Sequence, residues 1–175
     1  MALTLATTFR DDWSPQDFVT TIIEPVLCHL GAFSPAAVQL LLGTAVHESM
    51  GLRHRRQIGG GPARGYFQME GATHDDIWTN YLAYRADLKA KIESLIRPGN
   101  DKHYELEHND NYAAAMARAH YRRQPAALPG FDDIDAQANY WKQYYNTPLG
   151  AGTPAKYKSD WNTHVPSAIT YRTSC

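Results

Sequence analysis

Apolar residues recur along this chain at helical rather than strand spacing. Between Ser14-Pro15 and Gly31, residues Phe18, Ile22, Ile23, Val26, Leu27 and Leu30 fall three and four positions apart, the stripe of an amphipathic helix. Serine then proline gives an N-cap and a first helical residue with no N–H to lose, and Gly31 gives a stop. Pro25, inside the stripe, is expected to kink or split the helix, because its ring removes one intrahelical bond. Ser34-Pro35 repeats the start signal for a segment running to about Met50, with Gly51 as its stop. There Leu40, Leu41, Leu42, Ala45 and Val46 leave no polar face, which predicts a helix buried on every side.

Residues 52–65 set Arg53, Arg55 and Arg64 among Gly59, Gly60, Gly61 and Pro62, a composition that ends helices and predicts tight turns or a short hairpin lining a cleft. Helical spacing resumes over 73–84 (Ile77, Trp78, Tyr81) and 87–96 (Leu88, Ile92, Leu95), closed by Pro98-Gly99. The polar run 100–109 reads as a surface connection containing a turn. Tyr112, Ala113, Ala115, Met116, Ala119 and Tyr121 mark a small-residue helix over 110–123, suited to close packing. A further helix over 132–145 carries Ile134, Ala138, Trp141 and Tyr145, and a last one opens at Thr153-Pro154 and breaks at Pro166. No strand alternation, internal repeat or linker interrupts this order, so residues 1–175 are expected to form one mainly α-helical (all-α) domain.

Composition narrows the partners. A chain of 175 residues can bury a core without staples. With 17 basic and 18 acidic residues its formal charge is −1, which gives no electrostatic footprint for nucleic acid. The first residues, MALTLATTFRDDW, lack a basic stretch followed by an apolar one, and no window approaches the roughly 18 apolar residues that span a bilayer. Synthesis as a soluble cytoplasmic protein without stable membrane insertion is therefore expected. Cys28 and Cys175 are too few for a disulfide framework, and both are expected to be reduced.

The chemistry gathers between Leu40 and Glu70. Glu48 lies in the last turn of the buried helix, at the inner edge of the fold, where partial desolvation raises a carboxyl pKa toward the range a proton donor needs. The competing reading is a solvated residue at a fraying helix end. His47-Glu48 begins like a zinc-protease helix, but Gly51 stands where the second histidine is required and His54 falls off that face. Gly59-Gly60-Gly61 is followed by no Gly-Lys-Ser/Thr and preceded by no strand, which excludes a phosphate loop. No metal and no cofactor are expected.

Glu48-Ser49, then a turn-rich segment, then Gly65-Tyr66-Phe67-Gln68, resembles the lytic transglycosylase and goose-type lysozyme superfamily. There, a Glu-Ser at the end of a buried helix precedes a Gly-x-x-Gln segment. Tyr144-Tyr145-Asn146 stands where that superfamily has a downstream Tyr-Asn, and the three elements span roughly residues 34–160. The loop looks most like that of phage-encoded members. Two departures stand out: Tyr66-Phe67 replaces Leu-Met, and Thr147-Pro148 replaces a small residue and glycine.

The resemblance implies a lysozyme-like fold and a peptidoglycan-degrading enzyme, a phage endolysin acting in host lysis. Glu48 would protonate the oxygen between N-acetylmuramic acid and N-acetylglucosamine and then act as base. A lytic transglycosylase needs one carboxylate, whereas an inverting hydrolase needs a second, roughly 6.5–9.5 Å away. Glu70 is the best-placed candidate, ahead of Asp75 and Asp76, with a helix-start charge as its alternative. The resemblance also implies substrate contacts from Ser49, Gln68, Tyr145 and Asn146. Arg53, Arg55, Arg56 and Arg64 would meet peptidoglycan carboxylates or else form a solvated basic loop. Tyr66, Phe67, Trp78, Tyr140, Trp141, Tyr144 and Tyr157 are either sugar platforms or core. The implied partners are bacterial glycan strands and a holin-like permeabilising protein that opens the way from the host cytoplasm to the wall. A non-catalytic peptidoglycan-binding or virion structural module on the same fold is the alternative.

Overall fold

The computed structural model describes residues 9–146 and 149–175. The departure at Thr147-Pro148 and the first eight residues lie outside them. The helices are α1 (Pro15–Phe18), α2 (Glu24–Leu30), α3 (Pro35–Glu48), α4 (Gly71–Asn80), α5 (Ala86–Glu93), α6 (Lys102–His108), α7 (Asp110–Arg122), α8 (Ile134–Trp141) and α9 (Pro154–His164). The all-α reading therefore holds, and among the described residues only isolated antiparallel bridges, Arg56 with Arg64 and Arg64 with Met69, pair extended backbone. The first of them closes the glycine-rich loop, where tight turns or a short hairpin were expected. No helix among the described residues is long and apolar enough to cross a membrane.

The start signals act as expected: the hydroxyls of Ser14 and Ser34 each accept a backbone N–H at 3.1 Å, from Asp17 and Ala37. Pro25 does not break the first helix. Instead the turn ahead of it, Val19–Ile23, widens into a π-helix in which Glu24 N–H reaches Val19 O, and α2 follows directly from it. A wider turn accommodates a ring that has no N–H to offer and crowds the carbonyl four residues back.

Helix α3 is the axis of the molecule, with every residue from Ala37 to Val46 buried. Its polar members are paired: Gln39 bonds Asp132 and Gln137, and Thr44 Oγ1 lies 2.7 Å from Tyr121 Oη. Helices α7, α8 and α9 pack round it. The Tyr157 hydroxyl lies so close over Gly43 that a Cβ there would overlap it.

Two further expectations change. Residues 102–108 form α6 rather than a surface connection. Its Glu105 is fully buried yet takes hydrogen bonds from Arg97 Nε at 2.9 Å and Asn100 Nδ2 at 2.6 Å, and from Asn109. A buried charge satisfied in this way leaves a polar sequence that imitates a loop. The cysteines are not reduced: Cys28 and Cys175 form a disulfide with Cα atoms 5.6 Å apart. The tail brings them together, because Thr170 N–H donates to Gln16 Oε1 at 2.8 Å and Arg172 N–H to Glu24 Oε1 at 2.7 Å, laying the last residues along α1 and α2.

Candidate active site

Helix α3 delivers Glu48 at its final position, where the chain leaves the core through three left-handed residues, Met50, Gly51 and Leu52. Ser49 holds that exit. Its hydroxyl donates to Ala45 O at 2.6 Å and accepts Leu52 N–H at 2.9 Å, while its carbonyl takes the N–H groups of Arg53 and His54 at 3.1 Å. Ser49 is fully buried with its hydroxyl spent inside the turn, which corrects its assignment as a substrate contact.

The Glu48 carboxylate accepts a hydrogen bond from Trp141 Nε1 at 2.9 Å. Trp141 is locked in turn: His47 meets it edge to face at 4.4 Å, Tyr157 packs on it at 5.4 Å, and His47 Nδ1 lies 2.7 Å from Asp160 Oδ2. Burial outweighs the indole bond and pushes the Glu48 pKa up to about 7. Near neutral pH both protonation states are populated, the condition for a group that gives up a proton and later takes one back.

Glu48 opens onto a cleft of about 700 Å³ whose lining includes Glu70, Gln68, Tyr145 and Asn146. Four residues predicted from two other stretches thus share one cavity with the acid. Glu70 is the N-cap residue of α4, where the helix dipole favours a carboxylate, but it makes no side-chain cap bond. Gln68 sits in a left-handed conformation, its amide nitrogen donating to Gly65 O at 2.8 Å and Arg55 O at 3.3 Å. Those bonds hold it within its own loop and leave the amide oxygen as its acceptor. Tyr145 donates to Phe67 O at 2.6 Å, tying the far end of the chain to the Gln68 loop. Asn146, in the π-helical turn Lys142–Asn146, accepts from Lys142 Nζ at 2.9 Å.

The remaining candidates separate. Asp75 and Asp76 do not line the cleft; Asp75 faces two histidines, and Asp76 pairs with Arg123. Arg55 is structural: its guanidinium grips Asp110 with two bonds, Nη1 to Oδ1 at 2.5 Å and Nη2 to Oδ2 at 2.9 Å, and lies over the Tyr66 ring at 4.2 Å. Of the four arginines only Arg56 lines the cleft, bonded to Glu107 at 2.7 Å. Among the aromatics considered as sugar platforms, Tyr66, Phe67, Tyr140, Trp141 and Tyr157 are buried in the core, and neither Trp78 nor Tyr144 lines the cleft. The exposed apolar side chains on its rim are Met50, Ile58 and Leu149.

His54, weighed in sequence only as a metal ligand and set aside, and His120, which no sequence signal marked, also line the cleft. His120 is buried, meets Tyr145 edge to face at 4.8 Å and leaves Nδ1 without a hydrogen-bond partner. Burial first, then the charge of Arg123, lowers its pKa to about 4, so it is a neutral imidazole in the cleft wall at physiological pH. No protein-family profile, curated protein or solved structure matches the chain.

Proposed function

We propose that this protein cleaves the β-1,4 bond between N-acetylmuramic acid and N-acetylglucosamine in bacterial peptidoglycan, on a lysozyme-like fold, with Glu48 as proton donor. The observation that carries this reading is a single carboxylic acid with a pKa near neutrality, fixed by Trp141 at the head of a cleft. The three motif elements, Glu48, Gln68 and Tyr145-Asn146, line that same cleft. In its neutral form Glu48 donates to the glycosidic oxygen as the bond breaks. As carboxylate it then removes a proton from the incoming nucleophile, either the muramyl 6-hydroxyl or a water. Gln68 offers an acceptor to an acetamido N–H, and Arg56 offers a cation to the lactyl or peptide carboxylates.

Glu70 shares the cleft and makes no side-chain cap bond on α4, which supports a role in orienting water and hence hydrolysis. The Cys28–Cys175 bond fits a place of action outside the reducing cytoplasm, in keeping with an endolysin that a holin-like partner releases to the wall. Purified sacculi incubated with wild type are expected to release muropeptides and lose turbidity, and Glu48→Gln to do neither. Equal release by both proteins refutes the assignment, and binding to sacculi without release by wild type favours a non-catalytic wall-binding module. Mass spectrometry of the products divides anhydro ends, from transglycosylation, from the reducing ends of hydrolysis.

A further inference from the structure

Outside the cleft, two imidazoles and a carboxylate converge where α4 meets α6. His74 Nδ1 and His103 Nε2 lie 2.8 Å and 2.7 Å from the same oxygen, Asp75 Oδ1. One donor atom from each residue falls within 4.8 Å of the other two. We propose that His74, Asp75 and His103 form a three-ligand site for a divalent transition metal of the zinc class, bracing α4 against α6 beside the cleft. Two imidazoles with one carboxylate match the donor preference of Zn²⁺ and of its spectroscopic substitute Co²⁺, rather than the all-oxygen sets of Ca²⁺ and Mg²⁺.

The rings are held in place from behind. His74 is 1% exposed, and its far nitrogen, Nε2, lies 2.7 Å from Tyr112 Oη and 3.1 Å from Trp78 Nε1. A ligating histidine donates its other N–H to a second group that fixes its tautomer. Tyr112 Oη can serve as that group, and it also lies 3.0 Å from Trp78 Nε1, so the indole keeps an acceptor when His74 Nε2 carries the proton. The His103 ring sits against Gly71, where a Cβ would come within 3.2 Å of His103 Cε1; the missing side chain lets the ring lean over the start of α4. Burial lowers the His74 pKa, keeping the neutral, ligating form at neutral pH.

In the metal-free state the positions between the rings and Asp75 are filled by hydrogen bonds, and a cation would replace the protons that bridge them. The side chains of His103 and Asp75 are 48% and 61% exposed, which gives an entry path and leaves the remaining coordination positions to water. Lys102, whose ammonium lies 3.6 Å from the Trp78 ring centroid, opposes the added charge, and the carboxylate of Asp101 works against that opposition. None of the ligands lines the cleft, but α4 carries Thr73 in its wall, so a metal here would stiffen that wall.

The sequence hides such a site because its ligands come from two helices 28 residues apart, without the local spacing of a zinc motif. The test is calorimetric titration of the dialysed full chain with Zn²⁺ at neutral pH, paired with thermal melts and with the visible spectrum of Co²⁺. Wild type is expected to bind one equivalent and to melt at higher temperature when loaded. His103→Ala and Asp75→Asn, both at exposed positions, are expected to lose the equivalent, and Tyr112→Phe to weaken it by about 10-fold or more. Absence of saturable binding in wild type overturns the proposal, as does one equivalent retained unchanged in His103→Ala and Asp75→Asn.

Discussion

Replacing Glu48 by glutamine separates the energetic burden of the half-buried acid from its chemistry. The carboxyl titrates near 4.5 in the unfolded chain and at about 7 in the fold. Below both values it is neutral in either state and contributes nothing to the pH dependence. Between them the folded protein keeps a proton that the unfolded chain has lost, so stability falls as pH rises. Above about 7 the fold carries the full cost of a desolvated carboxylate. Glutamine has nearly the same shape, retains an oxygen to accept from Trp141 Nε1, and never ionises. By linkage, the stability difference between Glu48→Gln and wild type should grow by about 2–3 kcal/mol in favour of the variant between pH 5 and pH 8. For a chain of this length that corresponds to roughly 5–10 °C in Tm. Urea unfolding of both proteins at the two pH values measures it. A gap that stays constant between pH 5 and pH 8, or shifts toward wild type, refutes the burial argument and with it the neutral proton donor.

Other perturbations probe the parts that hold this acid. Trp141→Phe removes the bond that lowers the Glu48 pKa; the carboxyl midpoint, followed by carbon NMR, should rise above about 7, and an unchanged or lower midpoint contradicts the assigned role of the indole. Gly43→Ala should destabilise by about 1–3 kcal/mol through overlap with Tyr157, although helix propensity alone favours alanine by about 1 kcal/mol. Chemical denaturation gives the sign, and a net gain would mean that α9 yields freely. Reducing Cys28–Cys175, or substituting Cys175→Ser, frees a loop closed across 147 residues and should cost about 2–5 kcal/mol. Melts with and without reductant, with thiols counted, check it, and a Tm that stays fixed after full reduction refutes it.

The sequence carried the site's frame better than its details, for physical reasons. Helix α3 announced itself because burial on every side forces an unbroken apolar run, and the end of that run placed Glu48. Gln68, Tyr145 and Asn146 could be proposed to face the same cavity only through the resemblance, since no local pattern links residues so far apart. Ser49 was misassigned because a hydroxyl next to an acid looks the same in sequence whether it faces a sugar or closes a turn. Arg55 was misread for a related reason: its partner Asp110 is 55 residues away. Glu105 escaped notice because the groups that satisfy it are themselves polar, so a buried network reads as surface. His120 carries no mark at all, being one polar residue in an alanine-rich helix. The cysteine pair was missed because two thiols at remote positions say nothing of proximity until Gln16 and Glu24 have captured the tail.

That bond also determines where mechanical load travels. Tension applied between Phe9 and Cys175 runs along α1 and the π-helical turn to Cys28 and crosses the sulfur bridge to the other end. Residues 29–174, which carry the whole cleft, lie on a closed ring outside that line. A pull between Phe9 and Cys175 would load the backbone of the first helices before that of Glu48, Gln68 and Tyr145, and would reach the cleft through the packing of Phe18 on Tyr66 and Phe67. Reduction of the bridge would put the cleft itself under load.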